Sequence, residues 1–349
     1  MKSFVVVVTV ALVGQLAAAS PFHPYHIQDL YEVTVEQIKF RLKPTPQQQS
    51  LHTKFEEPVV QPNAAWGLAR ISHRSGLDWR TFNKYVHDPQ AGADVNVYIL
   101  DSGIDIDHPD FEGRAIWGKN IVEDGKDEDA DGHGTHYAGT VAGRTYGVSK
   151  KANVIAVKTF ATGRPNVTSI IKGIEWTSID HQLRRCNDET LKGGVIMLSD
   201  GGIPLSDELV AALDAAYEAG MHVAVSAGNG TGDACASAAG KTKGLVVSST
   251  TNIDRIEPSS NTGSCVDLFA PGEYTRSDSR RSKETPEVMG GTGPAAAHAA
   301  GLLAYFISAA DKGASSPDVI KKQLLDIALK GGVKDVPEGT VNVSQNLEL

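Results

Sequence analysis

Three cysteines in 349 residues are too few for a disulfide-built scaffold. Their odd number leaves one thiol free, or shared between chains, in an oxidising compartment. Cys235 and Cys265 lie in neighbouring glycine-rich loops and are the expected pair, with Cys186 left over. No run of Lys or Arg interrupts a chain of net charge −9, which excludes the basic face that nucleic acid requires. No apolar stretch is long enough to span a bilayer, so no membrane-embedded part is expected.

What is present starts with Lys2, an apolar run from Phe4 to Val13, and Ala17-Ala18-Ala19. That order is the charged, apolar and small-residue series of a secretory signal peptide over residues 1–19, the alternative being a buried N-terminal strand. Residues 20–62 are rich in Pro, Gln and His and carry little apolar pattern, so they read as a short leader without fixed order. From Asn63 the composition turns globular, and residues 63–349 read as one large domain, although length alone would allow two. With 41% apolar and 21% charged residues the whole chain is ordinary in composition.

Short β-branched runs recur at Val95 to Leu100, Val154 to Thr159, Gly194 to Leu198, His222 to Ala227, Leu245 to Ser248 and Val266 to Phe269. Helical spacing separates them at Thr168 to Leu183, Asp207 to Ala219 and Pro317 to Leu329. This alternation predicts an α/β domain of three layers, a mostly parallel sheet with helices on both faces. Polar residues just past strand C-termini form the site in such sheets. Gly290 to Phe306, GGTGPAAAHAAGLLAYF, is a glycine turn feeding a helix too small and apolar for a surface, with Pro294 expected at its first position. Its N-terminus offers unpaired backbone N–H groups to an anion.

Three glycine-flanked polar clusters stand out: LDSGID at Asp101, DGHGTH at His133 and SAGNG at Asn229. A carboxylate, an imidazole and an amide meeting at one sheet edge are the parts used in acyl transfer. The acid orients the histidine, the histidine moves the proton, and the amide stabilises an oxyanion. Taken singly, each has a plainer reading as a structural hydrogen bonder. Asp127-x-Asp129-x-Asp131 opens like a calcium loop, but Ala138 stands at the twelfth position in place of a glutamate, and a solvated acidic loop is the better expectation. His133 with His136 could ligate zinc, a reading set aside in favour of the acyl-transfer one. No metal site is expected from the residues themselves. His298 reads as a core histidine.

The spacing of LDSGID, DGHGTH, SAGN and GGTGPAAAHAAG resembles the subtilisin-like serine peptidases. The stretch from Asn63 onward is most similar to their fungal proteinase K and cerevisin branch, through NAAWGLARISHR, DFEGRAIWGK, YGVSKKA, GNGTGDAC, DLFAPG and AGLLAYF. The resemblance implies Asp101 and His133 as acid and base, Asn229 as the oxyanion amide, and Ser199, Asp200, Gly201 and Gly202 as the substrate-binding strand. It leaves no cofactor beyond a structural calcium ion, a polypeptide as partner, and a monomer that is secreted or delivered to a vacuole. Residues 20–62 then read as a remnant of the longer pro-domain such peptidases use in folding.

The departures are equally specific. Gly293 stands where the resemblance places the nucleophilic serine, Pro294 and Ala297 replace a methionine and a proline, and Asp200 replaces a leucine. Thr275 to Met289 reads as a polar loop where an apolar segment is usual. Glycine removes the attacking oxygen and leaves His133 nothing to activate, a loss of about 10⁶-fold in rate when the serine of subtilisin is removed. The expectation is a serine endopeptidase homologue that binds polypeptides and is inactive or severely impaired. The alternatives are an active endopeptidase of broad specificity, with Thr292 as substitute nucleophile or a fault in the sequence, and a non-enzymatic peptide- or inhibitor-binding module. Asn166, Asn229 and Asn342 head glycosylation sequons, of which Asn166 and Asn342 are expected to carry sugar.

Overall fold

β3 (Val95–Asp101) lies at the heart of the sheet with all seven of its residues buried. The computed structural model describes residues 57–122, 124–163, 166–199, 203–204, 206–311, 313–340 and 343–344. The expected signal peptide, most of the leader, Asp200, Gly201, Gly202 and Asn342 lie outside the described residues. Successive side chains of β3 enter opposite cores. Val95, Val97 and Ile99 join one apolar cluster, and Tyr98 and Leu100 join the other. That alternation is the pleat of a strand covered on both faces.

Around β3 stand β4 (Ala115–Asn120), β5 (Asn153–Lys158), β6 (Gly193–Leu198), β7 (His222–Ser226), β8 (Leu245–Thr250) and β9 (Leu268–Pro271). With β12 (Leu329–Lys330) and β13 (Val343–Ser344) they make a nine-stranded sheet in the order β12-β13-β9-β8-β7-β6-β3-β5-β4. Within it only the β12–β13 pair is antiparallel. One face carries the helices α1 (Trp66–Ile71), α2 (His133–Ala142), α5 (Thr292–Ala309) and α6 (Pro317–Ile327). The other carries α3 (Val167–Asn187) and α4 (Asp207–Glu218). This is the expected three-layer α/β architecture.

The register brings the site together. Leu100 lies opposite Leu198, and Leu198 opposite Val225, so β3, β6 and β7 end side by side and deliver Asp101, Ser199 and Ser226 to one edge. α5 starts at the same edge and runs beneath β3 and β6 to β9. Every residue from Thr292 to Ile307 is buried, which its small side chains permit by letting the helix axis approach the sheet closely.

Several expectations need correction. Residues 59–62, assigned to an unordered leader, form strand β1 (Val59–Pro62), which pairs antiparallel with β2 (Lys84–His87). Thr275 to Met289 is no loop but a hairpin of β10 (Thr275–Ser279) and β11 (Ser282–Met289). Its polar residues suit a ribbon whose β11 face is largely open to water. β9 starts at Leu268, later than Val266, because the Val266 N–H turns back to the carbonyl of Gly263 at 3.2 Å. α5 starts at Thr292, so Pro294 is its third residue.

Candidate active site

Asp101 closes β3 fully buried, its carboxylate accepting the Ser102 N–H at 2.8 Å and the Ser199 hydroxyl. Burial pushes its pKa up to about 6, against the pull of the Ser199 hydrogen bond, the nearby His133 and the Ser102 N–H. His133 opens α2 at the mouth, with its side chain 46% exposed and Nδ1 3.8 Å from the Asp131 carboxylate. Among the described residues no hydrogen bond joins Asp101 to His133.

The loop between them is held by Asp129. This buried carboxylate accepts the Ser102 hydroxyl at 2.7 Å, the Gly132 N–H at 2.8 Å, the Thr135 N–H at 2.9 Å and the Thr135 hydroxyl at 2.5 Å. Thr135 Oγ1 in turn accepts the Asp105 N–H at 2.9 Å. A carboxylate so occupied by donors does not fit a calcium ion, and the acidic sequence around it serves to tie the end of β3 to the start of α2. The tie is tight: a Cβ on Gly134 would lie 1.8 Å from the Gly103 carbonyl oxygen, so no side chain is tolerated there.

Asn229 follows β7, exposed, and bridges to Ser260. Its Oδ1 accepts the Thr292 N–H at 2.8 Å and the Thr292 hydroxyl at 3.0 Å. Thr292 Oγ1 also accepts the Gly228 N–H at 3.1 Å. Gly291, at φ 109°, lies under the amide, where a Cβ would come within 2.6 Å of Asn229 Nδ2. Asn229 is thereby clamped to the N-terminus of α5, and the Thr292 hydroxyl is committed to this clamp on both sides.

Gly293 is the second residue of α5 and is buried. A Cβ placed on it would meet Tyr137, with Oη at 2.5 Å, Cζ at 2.9 Å and Cε1 at 3.3 Å. Tyr137 comes from α2, and its ring lies 6.0 Å from that of His133 and 5.9 Å from that of His136. Sequence reading passed over Tyr137, although it is the one large aromatic in HGTHYAGTVA. That bulk among small neighbours was the available signal.

His136, one helical turn after His133, enters the core. It is buried, its Nε2 lies 3.1 Å from the Thr275 carbonyl, and burial pushes its pKa down to about 4. Among the described residues neither histidine belongs to a cluster of three potential metal ligands. His298 is buried with Nδ1 2.9 Å from the Pro294 carbonyl, as a core histidine. The β10–β11 hairpin braces the same loops from the side, with Arg280 donating to the Asp129 carbonyl and Lys283 paired with Asp105.

Of the remaining expected residues, Ser199 sits between Asp101 and Ser226, whose hydroxyl donates to the Ser199 carbonyl. Cys235 and Cys265 form a disulfide with Cα atoms 5.5 Å apart, and Cys186 is a free, exposed cysteine. Asn166 is exposed and caps α3 by accepting the Thr168 N–H at 2.9 Å. Among the described residues no helix is long and apolar enough to cross a membrane.

The sequence model of the subtilase family (Peptidase S8) matches residues 92–345. The chain is 43% identical over 308 residues to "Alkaline protease 2" of Aspergillus fumigatus, covering 84% of this chain and 62% of that protein. It is 42% identical over 303 residues to "Subtilisin-like serine protease Pen c 2" of Penicillium citrinum, covering 83% and 66%. The chain thus spans about two thirds or less of the length of these curated relatives. A solved "cold adapted subtilisin-like serine proteinase" superimposes with a TM-score of 0.71 at 32% identity, over 81% of this chain and 98% of that one.

Proposed function

Since the chain belongs to the subtilase family, we propose that it is a subtilisin-like endopeptidase frame that holds polypeptides and hydrolyses them at most very slowly. In this reading Asp101 and His133 take the acid and base positions, Asn229 the oxyanion amide, and Gly293 the position of the nucleophile. The observation that carries it is the geometry at residue 293. The Thr292 N–H and hydroxyl bind Asn229, the expected oxyanion amide, and the next residue of the helix, where the resemblance places the nucleophile, has no side chain.

His133 can still accept a proton at the mouth of the site, yet nothing covalent can pass through it without an attacking oxygen. Binding and charge stabilisation by backbone N–H groups survive the loss of a nucleophile and account for a residual acceleration of about 10³–10⁴ over water in subtilisin. Thr292 does not supply the missing oxygen in this reading, because its hydroxyl is engaged by Asn229 and Gly228. Ser199, Asp200, Gly201 and Gly202 are assigned to the strand that pairs with an extended peptide, with Asp200 favouring a basic side chain. The disulfide suits an oxidising compartment and the secretory route that the N-terminal apolar run implies.

The test is hydrolysis of a broad set of chromogenic peptides by the purified chain, with a fluorophosphonate probe for reactive serine and an anisotropy titration with extended peptides. Saturable binding, no labelling and turnover unchanged in His133→Ala are expected. Turnover abolished by His133→Ala would overturn the reading.

A further inference from the structure

The three atoms nearest to a Cβ built on Gly293 all belong to one side chain, Tyr137. The space vacated at residue 293 is therefore not a hole: a phenol from the neighbouring helix has filled it. We infer that Tyr137 is a plug in the nucleophile's place, and that Tyr137 and Gly293 are a coupled pair in which no side chain fits at 293 while Tyr137 remains. The inference rests on the reading of residue 293 given above.

The sterics are direct. An oxygen 2.5 Å and a ring carbon 2.9 Å from a Cβ are both inside any relaxed contact, so a side chain at 293 displaces the ring or the helix. The ring has little room to yield. Tyr137 is 7% exposed and stands between the rings of His133 and His136, and the latter is fixed by the Thr275 carbonyl. α2 cannot retreat either, because Gly134 packs its backbone against the Gly103 carbonyl and Gly139 packs against Ser277 and Asp278 of β10. Restoring a serine hydroxyl at 293 thus presents it to a position already occupied by another hydroxyl.

The experiment places Gly293→Ala and Gly293→Ser in two backgrounds, the wild type and Tyr137→Ala, and reads melting temperature and peptide hydrolysis. Gly293→Ala adds the Cβ without an oxygen and isolates the steric part. With Tyr137 present, each change at 293 is expected to lower the melting temperature by roughly 2–8 °C. With Tyr137→Ala most of that loss disappears, as required of two groups that share one space. Hydrolysis at least about 100-fold above background, abolished by His133→Ala, is expected only from the Tyr137→Ala/Gly293→Ser double variant. Tyr137→Phe removes the closest atom while keeping the ring, and serves as the second background with a smaller rescue if the alanine variant does not fold.

Equal melting losses in all backgrounds would overturn the inference, as would a Gly293→Ser single variant as active as the double. A melting rescue with a silent double variant supports the plug and overturns the reading of the site as a peptidase frame.

Discussion

Asp101 receives its side-chain hydrogen bond from Ser199, while the His133 ring stands 3.8 Å from Asp131. The acid expected to orient the base is thus held by a serine just past the neighbouring strand β6, and the base stands half-exposed at the mouth. Asp101 in the folded chain has a pKa of about 6 against 3.8 for a free aspartate, so it binds a proton more tightly folded than unfolded. Its contribution to stability is complete below about pH 4 and is lost as pH rises through about 6. Ser199→Ala removes the strongest opposition to burial. The variant is expected to differ least from wild type near pH 4 and to lose about 1–3 kcal/mol by pH 8, measured by urea denaturation. A difference independent of pH would refute the coupling.

Asp278 provides a second pH-dependent group. Burial, the carboxylate of Asp110 and a hydrogen bond shared with it push the Asp278 pKa up to about 8, against the pull of Lys283 and Lys150, with His108 at 3.8 Å. Its proton is retained on folding across the range where an exposed aspartate has lost it. Stability from this group is therefore complete below about pH 4 and fades as pH climbs through 8. Asp278→Asn is expected to raise the melting temperature relative to wild type, by a margin that widens between pH 6 and pH 9. A constant margin would count against the shared proton.

Asp129 is expected to be the most sensitive acidic residue of the site loop. Asp129→Ala strands the Ser102 and Thr135 hydroxyls and three N–H groups, those of Asp131, Gly132 and Thr135. The cost is about 2–4 kcal/mol, with Asn intermediate because its amide nitrogen cannot accept. Denaturant titration of the two variants decides it; tolerance of alanine would show that the loop is held elsewhere.

The Cys235–Cys265 bridge spans a sequence separation of 30. Its removal by paired alanines is expected to cost about 2–4 kcal/mol, chiefly by freeing the unfolded chain. Peptide binding should weaken as well, since the bridged segment carries Ser260, the backbone partner of Asn229. Unchanged binding with lowered stability would separate the bridge from the site.

The fold was readable because its strands are short β-branched runs buried on both faces, and that pattern needs no partner to be recognised. β3, β6 and β7 show it, and α5 shows its counterpart in a helix of small residues. β4 was not readable, because Ala-Ile-Trp-Gly-Lys-Asn has exposed and half-exposed positions on an edge. The β10–β11 hairpin was hidden because it buries Ser277, Asp278 and Ser279, residues whose polarity argues for a loop. Asp101, His133 and Asn229 stand out in the sequence by their glycine-flanked neighbourhoods, and Gly293 only through the family resemblance of its turn. What no local pattern contains is a contact between residues 137 and 293, because it depends on how two helices meet.

Strand β1 bears on how the chain tolerates trimming. Among the described residues β2 has no other neighbour than β1, and Gln61 also donates to the Thr145 carbonyl at 2.9 Å. A chain shortened to begin at Asn63 would leave the backbone of Lys84 to His87 as an open template for any passing strand. Four residues that look like the tail of a leader thus keep one edge of β2 covered.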